Sequence, residues 1–267
     1  MKQPTSNSPQ HMSNWDRAFM PVFRGEPLKG TRSLRVLADA LELDQLVPMI
    51  ASQTSSSDRM AAIGVIHEAV VLLSETLLPS AALDGVTIDG TPDQFGLVFE
   101  DNGALSGFWI AEDIRIRQGV QVVQLGNQLI AMLKPIVAAV QTRENLSRRG
   151  LELVLFDAVQ RACRRLDNGH IVKMEPGWVD ELLTAMGDSR RKPPRTVTVQ
   201  ADEGEPVELA IPRVCCVLAK HSMPHACPAC PQQQDATRCS ATEAWLRSMD
   251  DQEFLAETGR MRHRREG

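Results

Sequence analysis

Along most of this chain hydrophobic residues recur three and four positions apart, and in a few short runs two apart. The pattern predicts a helical body with short β elements set into it. Ser33 to Leu41 reads as a short helix with Leu34, Leu37 and Leu41 on one face, and Asp44 to Ser52 continues it after a break. Thr54-Ser-Ser-Ser57 supplies an N-cap for a helix from about Asp58 to Leu78, carrying Ile63, Ile66, Val70, Leu73 and Leu77, which Pro79-Ser80 should stop. Gly119 to Lys134 carries Val122, Leu125, Leu129 and Met132 on one stripe, and Pro135 kinks or restarts it before Ile136 to Thr142. The clearest helix is Leu146 to Leu166. Leu151, Leu155, Ala158, Ala162 and Leu166 form its apolar face, and Asp167-Asn168-Gly169 ends it. Gly177 to Met186 is a shorter helix, and the loop that follows ends in Lys-Pro-Pro-Arg195.

The period changes to two in a few places. Val86 to Ile88 reads as a short strand. Phe95, Leu97 and Phe99 alternate, Asp101-Asn102-Gly103 turns the chain, and Leu105 to Ile110 returns. Asn-Gly between such runs signals a hairpin, because both residues tolerate positive φ. A second hairpin joins Thr196–Val199 to Val207–Ile211 across Ala201–Pro206 and runs directly into Arg213-Val214-Cys215-Cys216. From Cys239 onward the sequence reads as a tail in which Thr242 can cap a helix bearing Trp245, Leu246 and Met249. The expected fold class is α+β, mostly helical with two β-hairpins, the second leading into a C-terminal cysteine loop. The expected division is a disordered polar N-terminus at 1–14, an α+β domain at 15–212, a cysteine segment at 213–231 and a helical extension at 232–267.

The cysteines change this picture from a scaffold to a site. Four of the six, Cys215, Cys216, Cys227 and Cys230, fall in the pattern C-C-x10-C-x2-C. Three chemistries fit four clustered thiols. Tetrahedral zinc takes four thiolates, and Cys227-x2-Cys230 is a normal half-site; His221 or His225 can replace a cysteine. Adjacent Cys215 and Cys216, however, point apart and chelate one small ion poorly. A thiol–disulfide pair fits Cys227-Pro-Ala-Cys230, but Pro228 and Pro231 oppose the helix such pairs normally open. A [2Fe–2S] cluster takes four thiolates over a broader site, for which a divergent pair is less of a difficulty.

Composition sets the setting. The chain has 267 residues, 43% hydrophobic and 24% charged, enough for a real core. Aromatics are only 4% and Tyr is absent, so that core must be aliphatic. A formal charge of −5 argues against nucleic-acid binding. The N-terminus has no apolar signal segment. The longest apolar stretch, Leu125 to Val140, is broken by Lys134 and Pro135, so no transmembrane segment is expected; peripheral membrane contact is left open. The expected location is the cytoplasm, where clustered cysteines serve as metal ligands or redox groups more often than as structural disulfides.

The C-C-x10-C-x2-C spacing resembles that of the ferric-siderophore reductases of the FhuF type. Phe95 to Ile110, ending Gly107-Phe108-Trp109, looks like the family's central hairpin, and the helix pair over Leu125 to Leu166 is similar to the one that follows it there. The second hairpin running into Arg213-Val-Cys-Cys also matches. The resemblance spans roughly residues 60 to 231. It implies that Cys215, Cys216, Cys227 and Cys230 hold a [2Fe–2S] cluster. It also implies one-electron reduction of a ferric siderophore, with a hydroxamate-type chelator favoured. No G-x-G-x-x-G fingerprint is present, so an external donor is expected, a ferredoxin or a flavin reductase. The chain departs from the family in continuing well past Cys230, and Cys239 matches no family ligand.

Other residues carry two readings each. Arg213, Lys220, His221 and His225 can place positive charge near the cysteines and raise the potential of a bound cluster, or be solvated loop residues. Trp109 can contact a siderophore body or pack in the core. Arg148, Arg149, Arg161, Arg164 and Arg165 can dock an acidic donor or form a solvated helix face. Cys163 reads as a small buried residue and Cys239 as a spare thiol. His67-Glu68 lacks the second His of a zinc-protease helix. A zinc-stabilised binding module, or a cluster-bearing electron carrier or iron sensor, remain the functional alternatives.

Overall fold

Seven helices and eight strands account for most of the residues described by the computed structural model, 21–169, 171, 173, 175–188, 195–202, 204–211, 213 and 235–260. The fold is α+β and mostly helical, as the patterning predicts. The helices are α1 (Ala40–Thr54), α2 (Asp58–Asp84), α3 (Val122–Glu144), α4 (Arg148–Asn168), α5 (Pro176–Ala185), α6 (Asp235–Ser248) and α7 (Asp251–Thr258). The strands are β1 (Val22–Arg24), β2 (Thr31–Ser33), β3 (Val86–Asp89), β4 (Phe95–Phe99), β5 (Leu105–Ile110), β6 (Arg115–Gln118), β7 (Arg195–Val199) and β8 (Val207–Ile211).

Both expected hairpins form. In the first, β4 and β5 pair antiparallel with Leu97 opposite Phe108. The turn is closed by Asn102, whose Oδ1 accepts from the Ala104 N–H at 2.8 Å. This hairpin is the centre of a four-stranded sheet in the order β1-β5-β4-β2. All five residues of β4 are buried, so the strand is covered on both faces. The short segment read as a helix from Ser33 to Leu41 is instead β2, one 3₁₀ turn (Val36–Ala38) and the start of α1. Leu34 and Leu37 are buried as expected, but Leu41 is 73% exposed. Asp39 caps α1 by accepting from the Leu41 N–H, which fixes the helix start one residue earlier.

Two prolines predicted as stops or kinks, Pro79 in α2 and Pro135 in α3, lie inside continuous helices, as does Pro48 in α1. Pro48 and Pro135 are on exposed positions, where water can take the carbonyl that each leaves unbonded. Pro79 is buried, and α2 continues to a left-handed cap at Gly85 (φ +62°). An internal proline costs about 3 kcal/mol. Burying Leu77 and Leu78 returns ~1.5–3 kcal/mol each, and the packing prevails.

The main core lies between the first sheet and α1 to α5, with α2 and α4 packed together at its centre. Two helices, Asp58–Leu83 and Val122–Glu144, are long and apolar enough to cross a membrane; 78% of the first apolar stretch and 39% of the second are buried within this body. A second, smaller core is made by Val197, Val199, Ala201, Val207, Leu209 and Ile211 of the second hairpin with Leu246 of α6 and Phe254 of α7. The stretch read as a tail is therefore integral to the fold. A domain boundary at 212 would cut through this core.

Candidate metal centre

The cysteine stretch leaves the end of β8, and the residues just before it are held with unusual care. Asn168, the last residue of α4, clasps the backbone of Glu208. Its Nδ2 donates to the Glu208 carbonyl at 2.8 Å and its Oδ1 accepts from the Glu208 N–H at 3.1 Å. Arg164 adds an ion pair to the Glu208 carboxylate at 2.9 Å. At the far end, Arg213 grips Asp157 at two points. Its backbone N–H donates to Oδ2 and its Nε to Oδ1, both at 2.6 Å. Its Nη1 donates to Asp188, 3.1 Å from Oδ2, and its guanidinium stands 5.9 Å from the centre of the Phe156 ring. The Asp188 side chain is fully buried.

These clasps agree with the geometry of the two elements. With Glu208 beside Asn168 and Arg213 beside Asp157, β8 runs antiparallel to α4. Five residues of chain from 208 to 213 can reach at most about 18 Å. The helix path from 168 to 157 covers about 16 Å at ~1.5 Å per residue. The chain from 208 to 213 is thus long enough for both clasps to close on the same helix. Removing one partner from a pair this buried leaves an uncompensated charge and costs about 3–5 kcal/mol.

The C-terminal helices tighten the same unit. Arg161 of α4 pairs with Glu257 of α7 at 2.7 Å, and Arg260 pairs with Asp202 at 2.6 Å. Gly259 (φ +82°) presses onto the Arg165 carbonyl, where a Cβ would collide. Cys239 packs, partly buried, against the second core. Cys163 is buried in the main core, and burial pushes its thiol up to about 12, so it stays a neutral thiol at neutral pH.

Of the residues the sequence singled out, Cys215, Cys216, Cys227, Cys230, Lys220, His221 and His225 lie outside the described residues. Arg213 is an anchor, its charge engaged by two carboxylates rather than free to tune a neighbouring centre. Trp109 is 6% exposed, and its indole N–H donates to the Gly25 carbonyl at 2.9 Å, so it packs and does not present itself to a ligand. The arginines of α4 divide: Arg148 and Arg149, in its first turn, are exposed, as a solvated face requires, whereas Arg165 is buried against Glu75 of α2 at 2.7 Å and Arg161 and Arg164 pair with Glu257 and Glu208. Burial raises the Glu75 carboxyl to about 7 against the pull of Arg165 and Arg161. Among the described residues, no three His, Cys, Asp or Glu side chains converge on a metal-sized site. Four thiols in one short stretch are a donor set of the Cys₄ type that [2Fe–2S] clusters and structural zinc both use.

Sequence reasoning missed Asp157 and Asp188. The signal for Asp157 was present, since it is an acidic residue wedged between Phe156 and Ala158 beside the apolar stripe of α4. Such a residue needs a partner when buried. No family model matches the chain, and no curated protein matches it.

Proposed function

We propose that this chain is a [2Fe–2S] ferric-siderophore reductase that releases iron in the cytoplasm for assimilation, with Cys215, Cys216, Cys227 and Cys230 as the cluster ligands. The observation that carries the reading is the C-C-x10-C-x2-C spacing, with its adjacent pair and its resemblance to the FhuF type. Arg213 supports it as a rigid point of departure. Cys215 follows Arg213 by two residues, so covalent geometry limits their Cα separation to about 7 Å. A ligand pair tied to a clasped residue loses less conformational freedom on binding a metal centre than one in a free loop.

A bound [2Fe–2S] cluster supplies single electrons. An external donor, a ferredoxin or a flavin reductase, provides the electron. The substrate Fe³⁺ takes it up and becomes Fe²⁺, which hydroxamate or catecholate oxygens hold far more weakly, and the chelator leaves intact. No general acid or nucleophile of this chain is required. The chain's own task is to hold the ligands, through Asp157, Asp188 and Arg213, and to bring the chelate near them.

The test is single turnover. Anaerobic protein reduced with dithionite and desalted should be reoxidised stoichiometrically by a ferric siderophore chelate, supplied as a trihydroxamate and as a tricatecholate, with Fe²⁺ appearing in a ferrous chelator. A reduced centre that ferric chelates leave untouched would assign the protein to electron carriage or iron sensing instead.

A further inference from the structure

A cleft of about 350 Å³ lies between α3, α4 and the end of α5. Its place relative to the anchor gives it interest. Phe156, under the Arg213 guanidinium, is part of its wall, and Gly187, the residue before Asp188, closes one end. The helical periods explain the rest. Lys134, Val137 and Ala138 face it from α3, and Arg148, Glu152 and Leu155 face it from α4. The walls are apolar and the rim is charged. Two cations and one carboxylate leave the lining at +1. Arg148 is already paired with Glu152 at 2.9 Å. Lys134 is exposed and joins no ion pair among the described residues. The volume falls in the range of small-molecule sites, about 300–1,000 Å³.

We infer that this cleft binds the ferric chelate, and that Lys134 selects chelates of net negative charge, of the catecholate or hydroxycarboxylate class, over the neutral or cationic trihydroxamates. The inference rests on the reductase reading for the identity of the ligand and on the cleft for its charge and place. An apolar chelator body packs against Val137, Leu155 and Phe156, and an anionic face meets the Lys134 ammonium. Bound there, the chelate adjoins the residue from which the cysteine stretch departs, which keeps the path of the electron short. Another cleft among the described residues includes Asn168 and Glu208 of the first clasp, but its lining is net acidic, with Asp167, Glu205 and Glu208 against Lys173 and Arg260. Two more lie away from Phe156. One lies beside β3 and β6 and includes Asp89 and Gln128; another lies between α2 and the first hairpin and includes Val65 and Leu97.

Gallium(III) chelates test this without any electron transfer, because Ga³⁺ copies the size and charge of Fe³⁺ and is not reduced by biological donors. Calorimetric titration of the purified full chain should show a gallium tricatecholate binding at least about tenfold more tightly than a cationic gallium trihydroxamate. Lys134→Glu should weaken the tricatecholate by about tenfold or more and leave the trihydroxamate unchanged or tighter. Ala138→Trp, at an exposed position, should abolish binding of both. Equal affinity for the two chelates, or an Ala138→Trp protein that binds like wild type, would overturn the inference. Visible absorption of the same samples reports the metal centre separately: a colourless protein that still binds the anionic chelate through Lys134 sinks the reductase and keeps the cleft.

Discussion

The two cores of this molecule are built differently. The body around α2 and α4 is a continuous aliphatic interior drawn from five helices and a four-stranded sheet. The second core, between the β7–β8 hairpin and α6–α7, has eight buried apolar residues, and much of its attachment to the body is polar. Asn168, Arg164, Asp157 and Asp188 hold β8 and Arg213, and Arg161 holds α7. Apolar packing is tolerant of small shifts, whereas paired charges and a clasped amide fix direction and register. The unit that carries the cysteine stretch is thus the one joined by directional contacts. The arrangement suits an element whose value lies in where it points.

Graded substitutions separate the two cores. The largest effect should come from Asp157→Ala, which removes the carboxylate that accepts from the backbone N–H and Nε of Arg213 and leaves its guanidinium held by Asp188. Loss of about 3–5 kcal/mol is expected, confined to the second core. Hydrogen exchange should show β7, β8 and α7 opening while α2 keeps its protection; uniform exchange across both units would contradict the division.

Next is an ionisable weakness in the main body. Glu75 binds its proton more tightly in the folded state, at about 7 against an ordinary 4.5. The folded protein therefore holds more protons than the unfolded chain between those values, and stability falls as pH rises through them. The loss by pH 8 is ~3 kcal/mol. Urea unfolding of Glu75→Gln at pH 5 and pH 8 should show that this component of the slope has gone, whatever the variant's absolute stability. Parallel slopes in the two proteins would refute the assignment.

Gly259→Ala tests the close approach of α7 to the end of α4. A side chain at φ +82° against the Arg165 carbonyl should cost about 1–3 kcal/mol, read as a lower urea midpoint for the second core. The smallest effect belongs to Lys29→Ala, which removes a surface pair with Asp101 whose side chains are 83% and 81% exposed; a change within about 0.5 kcal/mol is expected from the same urea midpoint.

The parts of the fold legible in the sequence were those with an uninterrupted period. α2 and α4 announce themselves through long 3.6-residue stripes, and the hairpins through alternation and turn residues. β6 was not legible, because all four of its residues, Arg115-Ile-Arg-Gln118, are exposed and carry no burial pattern; only its pairing with β3 makes it a strand. The internal prolines misled for the opposite reason: local propensity was outweighed by long-range packing around Pro79. At the candidate site the cysteine spacing was visible at once. The anchor was not, since Asp157, Asp188 and Arg213 come from three distant stretches that only the fold brings together.

The nature of the centre at Cys215, Cys216, Cys227 and Cys230 is tested most directly by the optical and EPR spectra of anaerobically purified protein. The prediction is a reddish-brown protein whose charge-transfer absorption bleaches with dithionite as a paramagnetic EPR signal appears, with both lost in Cys215→Ser. A colourless protein carrying one equivalent of zinc would contradict it.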